Sequence, residues 1–175
     1  VIQELIVRLR PEYIIETGTG KGGSAAFYAS ICELMGQGHV ITADIKDRMK
    51  WAEFEWIDRI EFIQGDSISQ YVKDTIFEMV GDSKNNLVIL DSWHSENHVH
   101  QEMCIYSRLV PVGGYMIIED SHAAGNPVPW KHDDKGPMGA IERWMIMYGD
   151  YWQSDMACEK HLLTFNPKGY LKRIK

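Results

Sequence analysis

The apolar positions fall into short runs punctuated by glycine, proline and acids, and they alternate between helical and extended spacing. Ile2, Leu5, Ile6 and Leu9 recur at helical intervals and Pro11 stops them, so the chain opens on a short helix. The run 13–16 reads as a strand. A glycine-rich turn follows, and from Ser24 a helix runs to about Met35, closed by Gly36 and Gly38 as left-handed caps. His39–Asp44 is a second buried strand ending in an acid. Residues 48–57 are predicted helical, with Trp51, Phe54 and Trp56 as packing residues; 60–67 is a strand ending in a polar loop, and 68–80 another helix. The stretch 85–91 is apolar on both faces, as central parallel strands are. Helical composition over 95–109 ends at Pro111 and Gly113-Gly114, and 115–120 is a fifth strand with acids at its end. Residues 121–137, rich in proline, glycine and mixed charge, read as a lid loop, since loops of that length are usually functional. A helix over 138–148 precedes two antiparallel strands, 152–157 and 162–165, with Gly169-Tyr170-Leu171 continuing the second. Strand and helix alternation closed by a hairpin gives an α/β, doubly wound Rossmann-like sheet, in one domain spanning 1–175.

Composition narrows the function. The chain has 175 residues and is 45% hydrophobic, enough to bury a core. A net charge of -7, from 25 acidic against 18 basic residues, argues against nucleic acid, whose phosphates need clustered Lys and Arg. The basic group Lys172, Arg173 and Lys175 is too short to change this. Cys32, Cys104 and Cys158 are too widely spaced for a zinc knuckle or a redox pair and read as buried thiols of a reducing compartment. No run approaches the ~20 apolar residues of a membrane span, and no signal peptide is visible. A cytoplasmic protein acting on a small molecule, with no membrane partner, is expected.

The chemistry begins at the glycine turn. Gly18, Gly20 and Gly23 after a strand satisfy a dinucleotide-type spacing, which alone is weak. Glu16 changes the reading: a carboxylate two residues before the first glycine opposes a pyrophosphate and favours a ligand bearing positive charge. S-adenosylmethionine, with its sulfonium and ammonium, fits better than NAD. Glu16, Asp44, Asp66, Asp91, Glu119 and Asp120 all fall at strand carboxyl ends, where such sheets bind ligands; Asp44 stands where a ribose is bound. Asp91, Glu119 and Asp120, on neighbouring strands, would repel one another if unpaired. All-oxygen ligation of a divalent cation, Mg²⁺, Ca²⁺ or Mn²⁺ rather than zinc, removes that problem. His94, three residues after Asp91, is positioned as a general base for a hydroxyl that the metal acidifies. His94 and His98 also share the i, i+4 spacing of zinc ligands, but Ser95 rather than Glu follows His94. His98, His100 and His122 read as hydrogen-bonding residues. Trp93 has two readings, stacking on an adenine or packing in the core.

Several blocks then act together: Ile14-Ile15-Glu16-Thr17-Gly18, Gly65-Asp66-Ser67, Leu90-Asp91-Ser92 with His94 and His98-Val99, Ile118-Glu119-Asp120, Gly136-Pro137-Met138, and Thr164-Phe165-Asn166-Pro167 with Gly169-Tyr170-Leu171. From about residue 11 to 173 the chain resembles the cephalosporin hydroxylase and rhamnosyl O-methyltransferase family. The resemblance implies the class I methyltransferase fold, with strand order 3-2-1-4-5-7-6 and strand seven antiparallel. It implies S-adenosylmethionine at Glu16, Gly18, Asp44, Asp66 and Ser67; Thr17, Gly20, Gly23, Ser24, Ile45 and Asp91 complete the expected cofactor site. Its site is similar to that of macrolide-sugar O-methyltransferases, in which acids matching Asp91, Glu119 and Asp120 hold Mg²⁺ and the histidine matching His94 is the base; Asp91 and His94 are thus the catalytic pair. No iron facial triad or flavin site is visible despite the word hydroxylase. Two departures stand out. Relatives carry N-terminal helices over the acceptor pocket where this chain has one short helix, so the acceptor is expected to be held by the lid or by another subunit of a homo-oligomer. Asn126 stands in Gly125-Asn126-Pro127-Val128 where histidine is expected. The function expected is a Mg²⁺-dependent O-methyltransferase acting on a hydroxyl of a sugar or natural product. The alternatives are an NAD-linked oxidoreductase and a non-catalytic cofactor-binding subunit of a two-protein system.

Overall fold

The computed structural model describes residues 1–48, 57–129, 134–161 and 163–175. The helix expected over 48–57, with Trp51, Phe54 and Trp56, therefore falls almost wholly outside the described residues, as does 130–133 of the expected lid. The chain folds as two compact units, Val1–Leu87 and Val88–Lys175.

In the first unit the amphipathic helix α1 (Ile2–Leu9) buries Leu5 and Ile6 and ends where Arg10 turns left-handed, φ 50°. Strand β1 (Tyr13–Thr17) is followed by α2 (Gly23–Met35), which Gly36 stops at φ 68°. Strands β2 (His39–Asp44) and β3 (Ile60–Gln64) complete a parallel set. The register pairs Tyr13 with His39 and Thr17 with Ala43, then Val40 with Ile60 and Asp44 with Gln64, so the strands' carboxyl ends lie on one edge. Helix α3 (Gln70–Val80) is capped by Ser69, whose hydroxyl accepts from Val72 N. The Asn85 amide donates to the carbonyls of Leu9 and Arg10 at 3.1 and 2.8 Å, fixing where β1 begins.

The second unit is built on the most apolar strands. In β4 (Asn86–Leu90), Leu87, Val88 and Ile89 are fully buried, and in β5 (Tyr115–Ile118) so are Met116, Ile117 and Ile118. They pair in parallel, Val88 with Met116 and Leu90 with Ile118. Helices α4 (Glu96–Tyr106) and α5 (Gly136–Tyr148) pack on each other. Asp134 ties their starts together, one carboxylate oxygen accepting from Glu96 N at 2.9 Å and the other from Gly136 N at 3.0 Å. Antiparallel β6 (Trp152–Ser154) and β7 (Tyr170–Arg173) close the chain. All seven strands form one sheet in the order 3-2-1-4-5-7-6, as expected.

The closing hairpin differs from the expectation. Strand β6 stops at Ser154 because Asp155 accepts from Ala157 N and turns the chain into a 3-10 segment, Met156–Glu159. Residues 163–165 are irregular rather than extended, and Leu163 and Phe165 are exposed at 86% and 70%: side chains that bury nothing give a strand no reason to form there. The partner strand is Tyr170–Arg173 alone. Gly169 makes its entry possible, since its carbonyl accepts from Ile118 N at 2.9 Å and a Cβ there would collide with the Ile118 carbonyl.

Candidate active site

The turn after β1 is lined by backbone. Gly18, Gly20 and Gly22 hold φ of 91°, 56° and 80°, values an L side chain resists. A Cβ on Gly20 or Gly23 would meet nothing within 4 Å, so the turn faces open space. Glu16 is buried, 1% exposed. Thr42 Oγ1 donates to Glu16 Oε2 at 2.5 Å and lies 2.6 Å from Thr19 Oγ1. A carboxylate only accepts, so the protons run from Thr19 to Thr42 to Glu16. Asp44 is also committed to the turn, its oxygens accepting from Gly20 N at 2.9 Å and Lys46 N at 3.0 Å. The Gly20 amide that a pyrophosphate would take is thus already bound by a carboxylate. Thr17 Oγ1 is buried and has no hydrogen-bond partner among the described residues, a polar atom in search of a ligand. Ser24 is half-buried on the first turn of α2, Ile45 is 61% exposed, Ser67 is buried, and Asp66 is exposed with Oδ1 on Ile68 N at 3.1 Å. Two carboxylates, an orphaned hydroxyl and an open glycine edge suit a ligand carrying positive charge and hydroxyl groups.

The second unit holds side-chain chemistry. After β4 the chain runs Asp91-Ser92-Trp93-His94 before Ser95 caps α4 by accepting from His98 N. After β5, Glu119 N extends the ladder to Leu90 O at 3.0 Å. Asp120 then turns left-handed, φ 55°, with its amide on Asn166 Oδ1 at 3.0 Å. Asp tolerates this region better than most residues. The turn brings the carboxylate to His94, whose Nε2 is 3.2 Å from Asp91 Oδ1 and 3.4 Å from Asp120 Oδ2. One ligand atom from each of Asp91, His94 and Asp120 lies within 4.8 Å of the others. Glu119, expected in this set, is not in it. Burial pushes the Tyr170 hydroxyl up in pKa, a hydrogen bond with Thr164 opposes it, and the Glu119 charge adds to the rise.

Asp91 and His94 shift the same way for opposite reasons. Burial raises the Asp91 pKa, Asp120 and Glu102 add to it, and the His94 hydrogen bond opposes without prevailing. Burial pushes His94 down, but the Asp91 hydrogen bond and the charges of Asp91, Asp120 and Glu102 win and raise it. Two carboxylates at these separations fit an oxygen-preferring divalent cation with positions left for other ligands, and the His94 imidazole lies beside them.

Other residues fall where the sequence does not put them. His94 and His98 diverge: His98 Nε2 contacts Ser92 Oγ at 3.1 Å, which removes the zinc spacing. Trp93 is 61% exposed, which removes core packing. Asn126 turns inward on its own loop, donating to Ala123 O at 3.0 Å. His122 is hydrogen-bonding as expected, contacting Phe165 O at 2.8 Å, with its ring centroid 4.9 Å from that of Phe165 and tilted by 50°; it also lies 3.7 Å from Asp120 Oδ1. Asn166, which orients Asp120, stands out in the sequence only as a member of a block shared with the family, and that sharing is the one signal that points to it.

The sheet order with its antiparallel seventh strand is that of a class I methyltransferase. Solved structures share it. TomG, an O-methyltransferase from Streptomyces achromogenes solved with SAM, is 18% identical with TM-score 0.68 over 97% of this chain and 74% of its own. CmcI in a Mg-SAM form is 21% identical with TM-score 0.67, over 99% and 69%. MycE of the mycinamycin pathway, in complex with Mg, SAH and mycinamycin VI, is 24% identical with TM-score 0.59, over 80% and 39%. Residues 1–174 match the family described as Rhamnosyl O-methyltransferase/CmcI, and the chain belongs to it. Rhamnosyl O-methyltransferases of Mycobacterium bovis (strain BCG / Pasteur 1173P2) and Mycobacterium leprae (strain TN) are each 32% identical over 174 residues, 98% of this chain and 71% and 75% of theirs. No helix among the described residues is long and apolar enough to cross a membrane.

Proposed function

We propose that this chain is a divalent-cation-dependent, S-adenosylmethionine-dependent O-methyltransferase acting on a hydroxyl of a sugar or natural-product small molecule. The observation that carries the reading is the convergence of Asp91, His94 and Asp120 within 4.8 Å in a chain of this family. When bound, S-adenosylmethionine supplies an electrophilic methyl group and the cation lowers the pKa of an acceptor hydroxyl. Glu16 and Asp44 offer negative charge to the donor, and Thr17 Oγ1 and the open edge at Gly20 offer a hydrogen bond and close backbone approach. Asp91 and Asp120 would hold the cation. His94 would take up the acceptor's proton, and the carboxylates of Asp91 and Asp120 beside its ring, 3.2 and 3.4 Å from Nε2, favour the imidazolium that results. Glu119, next to Asp120 in the sequence, is the third candidate ligand.

The family and the carboxylate on Gly20 N favour this reading over an NAD-linked oxidoreductase. The test is methyl transfer from S-adenosylmethionine to a panel of rhamnosyl and other hydroxylated glycosides, with Mg²⁺, after chelation, and after Mg²⁺ is restored. Transfer that chelation abolishes and Mg²⁺ restores is expected. Transfer indifferent to chelation sinks the metal role. Tight S-adenosylmethionine binding without transfer to any acceptor favours the cofactor-binding subunit instead.

A further inference from the structure

Glu102 on α4 has no exposed surface and takes no role in the mechanism above. Its Oε1 is engaged: Ser92 Oγ donates to it at 2.7 Å and His98 Nε2 lies 3.6 Å away. Oε2 is buried with no hydrogen-bond partner among the described residues. A carboxylate so placed is costly to bury.

The proton order shows what it holds. Ser92 has one hydroxyl proton and gives it to the carboxylate, so its oxygen accepts from His98 Nε2 at 3.1 Å. This is no hydrolase triad: Glu102 and the histidine nitrogen meet the same serine oxygen, so no base is left to activate it. The chain of bonds instead staples Ser92 to two residues one turn apart on α4. Ser92 stands between Asp91 and the His94 turn, one hydrogen bond from the buried carboxylate of Glu102.

We propose that Glu102 is a positioning residue for the metal pocket: through Ser92 it fixes the 91–95 segment so that Asp91 and His94 meet Asp120, and its buried charge strengthens the hold on a divalent cation. The inference rests on the metal role proposed above. Residues behind metal ligands are commonly worth about 10- to 100-fold in metal affinity, and Glu102→Gln is isosteric, keeps an oxygen for Ser92 and removes only the charge.

The test is Mn²⁺ titration of the full chain followed by electron paramagnetic resonance, with S-adenosylmethionine affinity measured in parallel by calorimetry. Glu102→Gln is expected to weaken Mn²⁺ by about 10-fold or more and to leave S-adenosylmethionine within about twofold, as independent sites do. Ser92→Ala keeps the buried charge and cuts the link, and should weaken Mn²⁺ by about 2- to 12-fold, the worth of one hydrogen bond; it also serves if Glu102 variants fail to fold. Wild-type Mn²⁺ affinity in either variant overturns the proposal, because a merely structural Glu102 would be replaced in full by glutamine. Absence of Mn²⁺ binding in the wild type overturns the metal role itself, a distinct result.

Discussion

The turn after β1 and the pocket after β4 and β5 solve the binding problem in different materials. The turn is backbone: left-handed glycines at Gly18, Gly20 and Gly22, with Asp44 committed to a loop amide. The pocket is side chains: two carboxylates and an imidazole brought together by a left-handed Asp120. A backbone site is specified by which residues can adopt the conformation. A side-chain site is specified by which residues remain charged when buried. The first should fail through strain or lost ligand affinity, the second through lost chemistry.

The largest expected effect tests that division. His94→Ala should lower kcat by about 10²- to 10⁴-fold, the usual worth of a general base, while S-adenosylmethionine affinity by calorimetry stays near wild type. Glu16→Gln should do the reverse. It removes a buried charge that Thr42 bonds at 2.5 Å and should weaken S-adenosylmethionine by about 10- to 100-fold, from the ~1.5–3 kcal/mol of a charged hydrogen bond, with Mn²⁺ affinity retained. Joint loss of both ligands in Glu16→Gln would erase the distinction.

Smaller effects sharpen it. Gly20→Ala meets no atom within 4 Å, so only its φ of 56° opposes the new side chain, at ~1–2 kcal/mol. That is a drop in Tm of roughly 2–8 °C for a chain of this size. Gly38→Ala should cost more, because its φ of 97° comes with Cys32 Sγ at 2.8 Å and the Pro11 carbonyl at 3.0 Å from the new Cβ. The smallest effect is on pH. Burial lowers the His100 pKa, Arg143 lowers it further and Glu96 opposes. The unfolded chain then binds more protons than the folded one, and stability falls as pH drops below the unfolded value of about 6.5. Urea midpoints at pH 7.5 and 5.5 should show a wider drop for wild type than for His100→Gln; equal drops would assign the acid sensitivity elsewhere.

Buried parallel strands are legible because continuous apolar runs have one stable use, and His39–Asp44 matches its expected bounds to the residue. Glycine spacing likewise reports φ at Gly18 and Gly20, while the third left-handed glycine is Gly22 and Gly23 instead opens α2. The strand expected over 162–165 does not extend through 163–165, because alternation there is not backed by burial. Glu119 and Asp120 show a deeper limit. Consecutive residues on a strand point to opposite faces, so adjacent acids do not both reach one ion without a break in the backbone. That Asp120 meets Asp91 and His94 is decided by its left-handed turn and by Asn166, far along the chain. Residues that meet only through such contacts, Asn166 and His122 among them, leave no local trace in the pattern.

Asp134 carries a consequence of its own. Its two oxygens serve two different helices, so it acts as a rivet through the downstream root of the 121–137 segment. Asparagine offers a single acceptor oxygen, and so even this near-isosteric exchange must release either α4 or α5. The fastening cannot be loosened by half a measure at both ends.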